Sequence, residues 1–426
     1  MIQPRILLLI PTSSYRATAF IEAATKLNVE IAVGSDQRQV LSEVTCGKSL
    51  TLDFTQPEKA TRLIVDFAKT YPLTAAIPTD DEAVILAAMA SQALSLPHNP
   101  LSSVITTRNK HRFREMLSEG GFPSPRYGLF SVDDKPEKIT SRIGFPCVLK
   151  PLSLSASRGV IRVNDLPQFV EAFHRIAKIL QQPDAIVRGK EEARYILVEE
   201  FIPGKEVVLE GILTGGRLKV LTLFDKPDPL EGPYFEETLY VTPSRLSQTT
   251  QEEIKAQAIR LVERLGLKEG PIHAELRVND QGVWPLEVAA RSIGGHCSQA
   301  LRFETALSLE ELILRHAIGV KIESFKREKK ASGVMMVPIP RGGILKEVRG
   351  LKEAQAVPSI EAIKISIKIG QPVVPLPEGS KYLGFIFARQ DTPQGVEAAL
   401  REAHRRLEFV ITPQPESQGS VPPTNS

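Results

Sequence analysis

The segment 271–299, PIHAELRVNDQGVWPLEVAARSIGGHCSQ, carries the clearest alternation of hydrophobic and polar positions in the chain. Ile272, Ala274, Leu276 and Val278 interleave with His273, Glu275 and Arg277, the period-two signature of a strand with one apolar and one polar face. Asn279, Asp280, Gln281 and Gly282 form a turn, and a second strand follows over 283–290. A three-residue loop, Asp280-Gln281-Gly282 with Gly282 left-handed, sets Glu275 directly opposite Glu287 on one face. A four-residue loop would set them on opposite faces, and Pro285 in the second strand could remove a ladder hydrogen bond. Like charges directly opposite destabilise a sheet. The pair therefore reads either as two solvated glutamates or as a cation site, for which Mg²⁺ suits carboxylates completed by water and phosphate oxygens.

Upstream, 5–10 (RILLLI) is a continuous apolar run, as in a buried parallel strand. A polar loop over 11–16 leads into a helical pattern through Ala24, and strands follow at 30–33 and near 74–77. Strands alternating with helices predict an open parallel sheet with ligands at its carboxyl ends, where Asp80 and Asp81 lie. The dinucleotide fingerprint is absent. Cys46-Gly47-Lys48-Ser49 ends like a phosphate loop, but Ser42 stands where a glycine is required, which discards it.

A second unit begins near Thr107, with Asn109 as cap of a helix over 110–118 that stops at Gly120-Gly121. Strand patterns at 126–130, 146–150, 160–163 and 195–199 surround a helix at about 166–181. The loop 153–159 reads as a plain hairpin loop or as a phosphate flap. In the second case its amides and hydroxyls, with Arg158, close over a triphosphate. Residues 198–206 pass from strand through turn to a further strand at 206–213, exposing backbone groups beside apolar side chains where a purine edge could lie. Arg291 to His296 offers a fixed cation and a glycine turn that lets amides approach an anion. Arg291 alone is an ordinary surface or structural arginine; four residues after a candidate metal ligand it joins the site. A helix at about 308–318 closes the unit, 325–330 reads as a solvated linker, and 332–411 as strands with one late helix at about 393–406.

Composition narrows the function classes. A length of 426 residues accommodates two to four domains at roughly 150 residues each. Charged residues make up 24% of the chain and nearly cancel, to a net charge of +3, so nothing argues for a nucleic-acid partner. Cys46, Cys147 and Cys297 lie far apart without a C-x-x-C, which excludes a cysteine zinc knuckle and points to a reducing compartment. The apolar run at 6–10 is too short for a signal sequence or membrane span, so a cytoplasmic protein with no membrane partner is expected.

In this order and spacing the motifs resemble the ATP-grasp superfamily of carboxylate–amine ligases, and within it the L-amino acid ligases that join two amino acids. Residues 336–343 (MVPIPRGG) and 383–388 (LGFIFA) look like that branch as well. The resemblance implies an α/β ATP-grasp fold with an N-terminal open parallel-sheet domain over 1–106 and a core over 107–324 that includes a mobile α+β lid at about 123–200. A small α+β C-terminal domain over 325–412 and a disordered tail over 413–426 complete it. By position, Lys110 and Lys150 match the phosphate lysines, and Ser155, Ser157, Arg158 and Gly159 fall in the lid loop. Glu199, Glu200, Phe201 and Ile202 match the adenine hinge, Glu206 the ribose acid, Glu275 and Glu287 the metal carboxylates, and Arg291 the arginine on transferring phosphate and substrate carboxylate. Arg291, Lys150 and Arg158 are thus the catalytic candidates, and ATP with Mg²⁺ or Mn²⁺ is the implied cofactor set.

Tyr15, Asp80, Asp81, His273, Gly294, Gly295 and His296 are substrate-side candidates, the histidines being equally suited to a structural role. The resemblance further implies amino-acid substrates, a homodimer, and amide formation through an acyl phosphate. It has one departure: Ala289 stands where many relatives carry a metal-binding asparagine, so the second Mg²⁺ is expected to be differently completed. The competing expectations are an ATP-grasp enzyme of a purine-biosynthetic or biotin-carboxylase-like branch, and a nucleotide-binding protein with a dead site.

Overall fold

The computed structural model describes residues 4–12, 14–37, 48–139 and 143–413. Ser13, the phosphate-loop look-alike at Cys46 and Gly47, and the tail from 414 onward lie outside them. The N-terminal strands form a parallel sheet in the order Ser49–Thr51, Glu30–Ser35, Arg5–Leu9, Ala75–Pro78. Arg5–Leu9 is central and covered on both faces: Ile6 and Leu8 pack into one cluster, Leu7 and Leu9 into another. That is why its sequence is a run rather than an alternation. The loops after Arg5–Leu9 and Ala75–Pro78 leave from the carboxyl ends and carry Tyr15, Arg16, Asp80 and Asp81.

An eight-stranded sheet forms the body, in the order Gly282–Ala289, Gly270–Asn279, Lys205–Thr214, Arg217–Asp225, Leu239–Thr242, Ala331–Val337, Gly384–Gln390, Ile360–Ile365. All its neighbours are antiparallel. Ile272, Ala274 and Leu276 pack with Leu209 and Leu223 against the helices Lys110–Glu119 and Gln248–Leu265. On the other face Val208, Ile212, Phe224, Val334 and Phe385 meet the helices Ala17–Lys26 and Leu309–Ala317. The last three strands belong to the C-terminal module, whose core closes against the helix Pro393–Arg405.

The hairpin differs from expectation in one detail. Asn279 pairs with Gly282, so the loop is the two residues Asp280 and Gln281, and Gly282 has φ +119°. A shift of register between Glu275 and Leu276 restores Glu275 opposite Glu287. The irregularity accommodates Pro285, which lies on the edge strand of the sheet, where proline is tolerated.

A separate sheet, in the order Tyr127–Ser131, Tyr195–Glu200, Cys147–Pro151, Ile161–Val163, packs against the helix Leu166–Leu180. It is docked on its neighbours. The Gly159 amide donates to the Pro377 carbonyl at 2.9 Å, Arg175 grips Glu378 through two hydrogen bonds of 2.6 and 2.9 Å, and Arg188 meets Glu82 at 2.9 Å. Two expectations for the C-terminal region need correction. A short helix, Leu351–Gln355, accompanies the late one. Residues 325–330 are no free linker: Glu328 pairs with Arg389, and the Lys326 carbonyl accepts from the Glu304 amide at 2.9 Å. Among the described residues no helix is long and apolar enough to cross a membrane.

The N-terminal sheet is bolted to the body by Arg16, whose side chain is 1% exposed. It donates to Glu310 at 2.9 Å and to Ser292 Oγ at 2.6 Å, and Glu310 is itself 3% exposed. Arg16→Ala leaves that carboxylate buried without its counter-charge, an expected loss of roughly 3–5 kcal/mol in chemical denaturation. Arg16→Met combined with Glu310→Met is expected to recover most of the loss.

Candidate active site

The polar face of Gly270–Asn279 is the floor of the site. Across one flank, His273 lies opposite Glu210, Glu275 opposite Val208 and Arg277 opposite Glu206. Across the other, Glu275 meets Glu287 and His273 meets Ala289. Opposite charges facing each other on neighbouring strands stabilise a sheet, and here they are also buried. His273 Nδ1 bonds Glu210, while its Nε2 reaches Glu275 at 3.2 Å. Burial works against the imidazolium, but Glu210 and Glu275 outweigh it and hold the pKa at about 9. Arg277 binds Glu206 at 3.1 Å and the Ile202 carbonyl at 2.6 Å.

A cavity of about 370 Å³ opens over this floor, walled by all parts of the chain. The N-terminal unit contributes Tyr15, Asp80 and Asp81, the smaller sheet Lys150 and Ser155 to Arg158, and the C-terminal module Met336, Tyr382 and Phe385. Asn109 caps the helix Lys110–Glu119 by accepting from the Arg112 amide at 3.0 Å, which fixes Lys110 at the cavity edge. Lys110 Nζ lies 3.2 Å from Glu287 and 2.9 Å from the Leu154 carbonyl. Lys150 Nζ is 2.7 Å from Glu199, which Arg114 also holds at 2.9 Å. Burial raises the cost of the Glu199 charge, yet Arg114 and Lys150 bring its pKa down to about 2. Lys150 itself is lowered by burial, which Glu199 offsets only in part.

Arg291 is 9% exposed and bonds Asp81 at 2.6 Å and the Ser292 carbonyl at 2.9 Å. Its Nε is buried without a hydrogen-bond partner among the described residues. Burial disfavours the Asp81 carboxylate, but Arg291 and Arg108 prevail and hold it well below the usual range. Beside it, Asp80 is raised, chiefly by burial. Gly294 and Gly295 line the cavity, and Gly295 takes φ +58° with the Phe385 ring 3.2 Å from where a side chain would begin. His296 packs edge-on to Phe385 at 5.1 Å and against Tyr15 at 5.4 Å. Burial, with Lys364 and Arg16, pushes its pKa down to about 4.

The lid-loop residues fall into two sets. Ser155 and Ser157 line the cavity, while Gly159 is turned to Pro377. Arg158 also lines it, but its guanidinium is held by Asp184 and by Gln182 at 2.5 Å. At the strand–turn crossing, the Glu200 amide donates to the Arg126 carbonyl at 2.9 Å, and Phe201 lies under Arg162 at 4.0 Å. Glu206 is bound on one side by Arg277 and on the other by Lys226 at 2.6 Å.

Sequence reasoning missed Arg114, Glu210, Lys226 and Glu237. Glu206 and Glu210 share a strand face at even spacing, a signal that could have found Glu210. Lys226 and Glu237 flank an irregular segment with no periodicity to read. Lys226 Nζ sits among Glu206, Glu237 and Glu275, and their combined pull outweighs burial to keep it charged. The donor set fits a divalent ion at the Glu275–Glu287 pair: two carboxylates on one sheet face, both open to the cavity.

Comparison with known proteins agrees with this geometry. Residues 143–300 match the ATP-grasp domain, 21–98 the ATP-grasp N-terminal domain, and 335–412 the L-amino acid ligase C-terminal domain 2. The chain is 26% identical over 255 residues to the alanine–anticapsin ligase of Bacillus subtilis (strain 168), covering 56% of this chain and 53% of that one. It is 25% identical over 352 residues to the formate-dependent phosphoribosylglycinamide formyltransferase of Burkholderia thailandensis, covering 80% and 81%. Several matched curated relatives are spanned over only 64%, 53% and 52% of their own length. In fold it is similar to the crystal structure of the L-amino acid ligase from Bacillus licheniformis, with TM-score 0.82, 22% identity, and coverage of 96% of this chain and 99% of that one. The parallel sheet, the cation-lined cavity and these matches lead to one assignment: the chain belongs to the ATP-grasp superfamily of ligases and carries the C-terminal domain of the L-amino acid ligases.

Proposed function

We propose that the protein is an ATP-dependent carboxylate–amine ligase that joins two amino acids. Arg291 carries the reading: a buried guanidinium anchored by Asp81, in one cavity with Lys110, Lys150 and the paired glutamates. Phosphoryl transfer to a carboxylate brings two anions together, and fixed cations oppose their repulsion and the charge that develops. A carboxylate oxygen of the first substrate attacks the γ-phosphorus of ATP, the bond to the β-phosphate breaks, and ADP leaves. The uncharged amine of the second substrate then attacks the acyl carbon and loses a proton, and phosphate departs.

In this reading Lys110 and Lys150 hold the phosphates, and the Arg291 guanidinium an oxygen of the carboxylate or of the transferring group. Bound at Glu275 and Glu287, Mg²⁺ supplies charge neutralisation of the phosphates. Asp81 fixes Arg291, and Glu199 with Arg114 fixes Lys150. The segment 153–159 excludes water that would hydrolyse the acyl phosphate. The breadth of the match to a formate-dependent formyltransferase supports a second reading, with formate or bicarbonate as the activated carboxylate.

Phosphate release from Mg·ATP, measured over single and paired L-amino acids with mass spectrometry of products, separates the two. Release requiring two amino acids and yielding a condensed mass supports dipeptide formation; release with formate or bicarbonate supports the other branch. Binding of ATP with no release in any of these mixtures would favour a dead site. Glu287→Ala is expected to abolish ADP formation with an unchanged circular dichroism spectrum, and Lys150→Met to lower kcat by about 10²–10³.

His273 adds a pH dependence. Its folded pKa of about 9 lies above the unfolded value of roughly 6.5, so its stabilisation is complete below the lower value and lost as pH rises through the upper one. Thermal melts without metal or nucleotide are expected to show up to roughly 3 kcal/mol lost over that window in the wild type, and a flatter profile in His273→Gln.

A further inference from the structure

The loop 153–159 is clamped at both ends. On the entering side the Lys110 amide donates to the Leu152 carbonyl at 3.1 Å, Lys110 Nζ to the Leu154 carbonyl at 2.9 Å, and Arg108 to the Ser153 carbonyl at 3.3 Å. On the leaving side the Gly159 amide is bound to Pro377. The Arg158 side chain, 8% exposed, spreads its two terminal nitrogens over Asp184 and Gln182. Between the clamps Ser155, Ala156 and Ser157 line the cavity, and Ala156 and Ser157 both stand at φ +55°. Two successive non-glycine residues in the left-handed region form a costly conformation, which persists only where its surroundings hold it. Their amides make no hydrogen bond among the described residues, and successive N–H groups on a tight turn suit an anion. Asp184 lies on the helix Pro183–Gly189, which is fastened in turn to the N-terminal unit. Arg188 meets Glu82 at 2.9 Å, and Lys190, just past the helix, donates to the Thr55 carbonyl at 2.6 Å.

We propose that Arg158 is a positioning residue: through Asp184 and Gln182 it holds the turn 155–157 in the shape that presents its amides to a triphosphate, and it does not itself touch phosphate. The inference rests on the reading of the cavity as a nucleotide site. The planar fork of the guanidinium is matched to both oxygens of one carboxylate, a pairing that fixes direction as well as distance. It pulls the chain at 158 away from the cavity while the clamps at Leu152 and Leu154 hold the other end. The left-handed pair at 156 and 157 closes the distance between these two fixed points.

The test is fluorescence titration of the full chain with a methylanthraniloyl-labelled, non-hydrolysable ATP analogue and with labelled ADP, both with Mg²⁺, on variants whose circular dichroism matches the wild type. Arg158→Ala and Asp184→Ala are each expected to weaken the triphosphate analogue about tenfold and the diphosphate less. The double variant is expected to lose no more than either alone, because both remove the same pair. Arg158→Asp with Asp184→Arg re-forms the pair in reverse and is expected to bind within about threefold of the wild type. Loss in Arg158→Ala with wild-type binding in Asp184→Ala, unchanged binding in both, or additive losses in the double variant would overturn the proposal. So would a reversed pair as weak as Arg158→Ala, since that result puts the positive charge itself on the phosphates. A wild type that binds neither nucleotide would overturn the nucleotide reading beneath it, an outcome separate from failure of the pair alone.

Discussion

Everything in this site depends on a strand whose inward face is charged. Within five positions Gly270–Asn279 buries an imidazole and a guanidinium and half-buries a carboxylate, and charges taken out of water need compensation where they stand. The neighbouring strand provides it in register, with Glu210 against His273 and Glu206 against Arg277. Glu275 faces an apolar residue on one flank and another carboxylate on the other, so its compensation comes from outside the ladder. The protein spends Lys226 and His273 on it, and still leaves the Glu287 side open to the cavity.

The same logic governs how the parts of the chain are joined. Arg16 and Asp81 leave the carboxyl ends of the parallel sheet and find their partners, Glu310 and Arg291, in the body. These pairs are nearly dry, so each partner is costly without the other. The orientation of the N-terminal unit is thereby tied to the orientation of Arg291 in the cavity. An apolar interface would have given adhesion without that directional coupling.

What could be read from the sequence follows the range of the interactions. Period-two alternation gave the hairpin and the Glu275–Glu287 pairing, because side-chain facing in a strand is local. The loop length was wrong by one residue and the pairing survived, since the irregularity near Pro285 absorbs the difference. The apolar run at Arg5–Leu9 announced a strand covered on both faces. The partners of the buried charges were illegible. Arg114 sits between Phe113 and Leu117 on an ordinary amphipathic helix, and only the fold reveals that it reaches Glu199. Lys226 and Glu237 lie in connecting chain, where no period constrains where a side chain points. The Arg158 guanidinium, expected over phosphate, is drawn instead to Asp184, a residue 26 positions away whose proximity no local pattern records.

The junction of Gly159 with Pro377 and of Arg175 with Glu378 has a consequence for how such a protein changes over time. The C-terminal module supplies both a wall of the cavity, through Tyr382 and Phe385, and the anchor for the segment that covers it. A substitution there reshapes the wall and shifts the anchor at once, so the two features are inherited together, on the stretch 377–385.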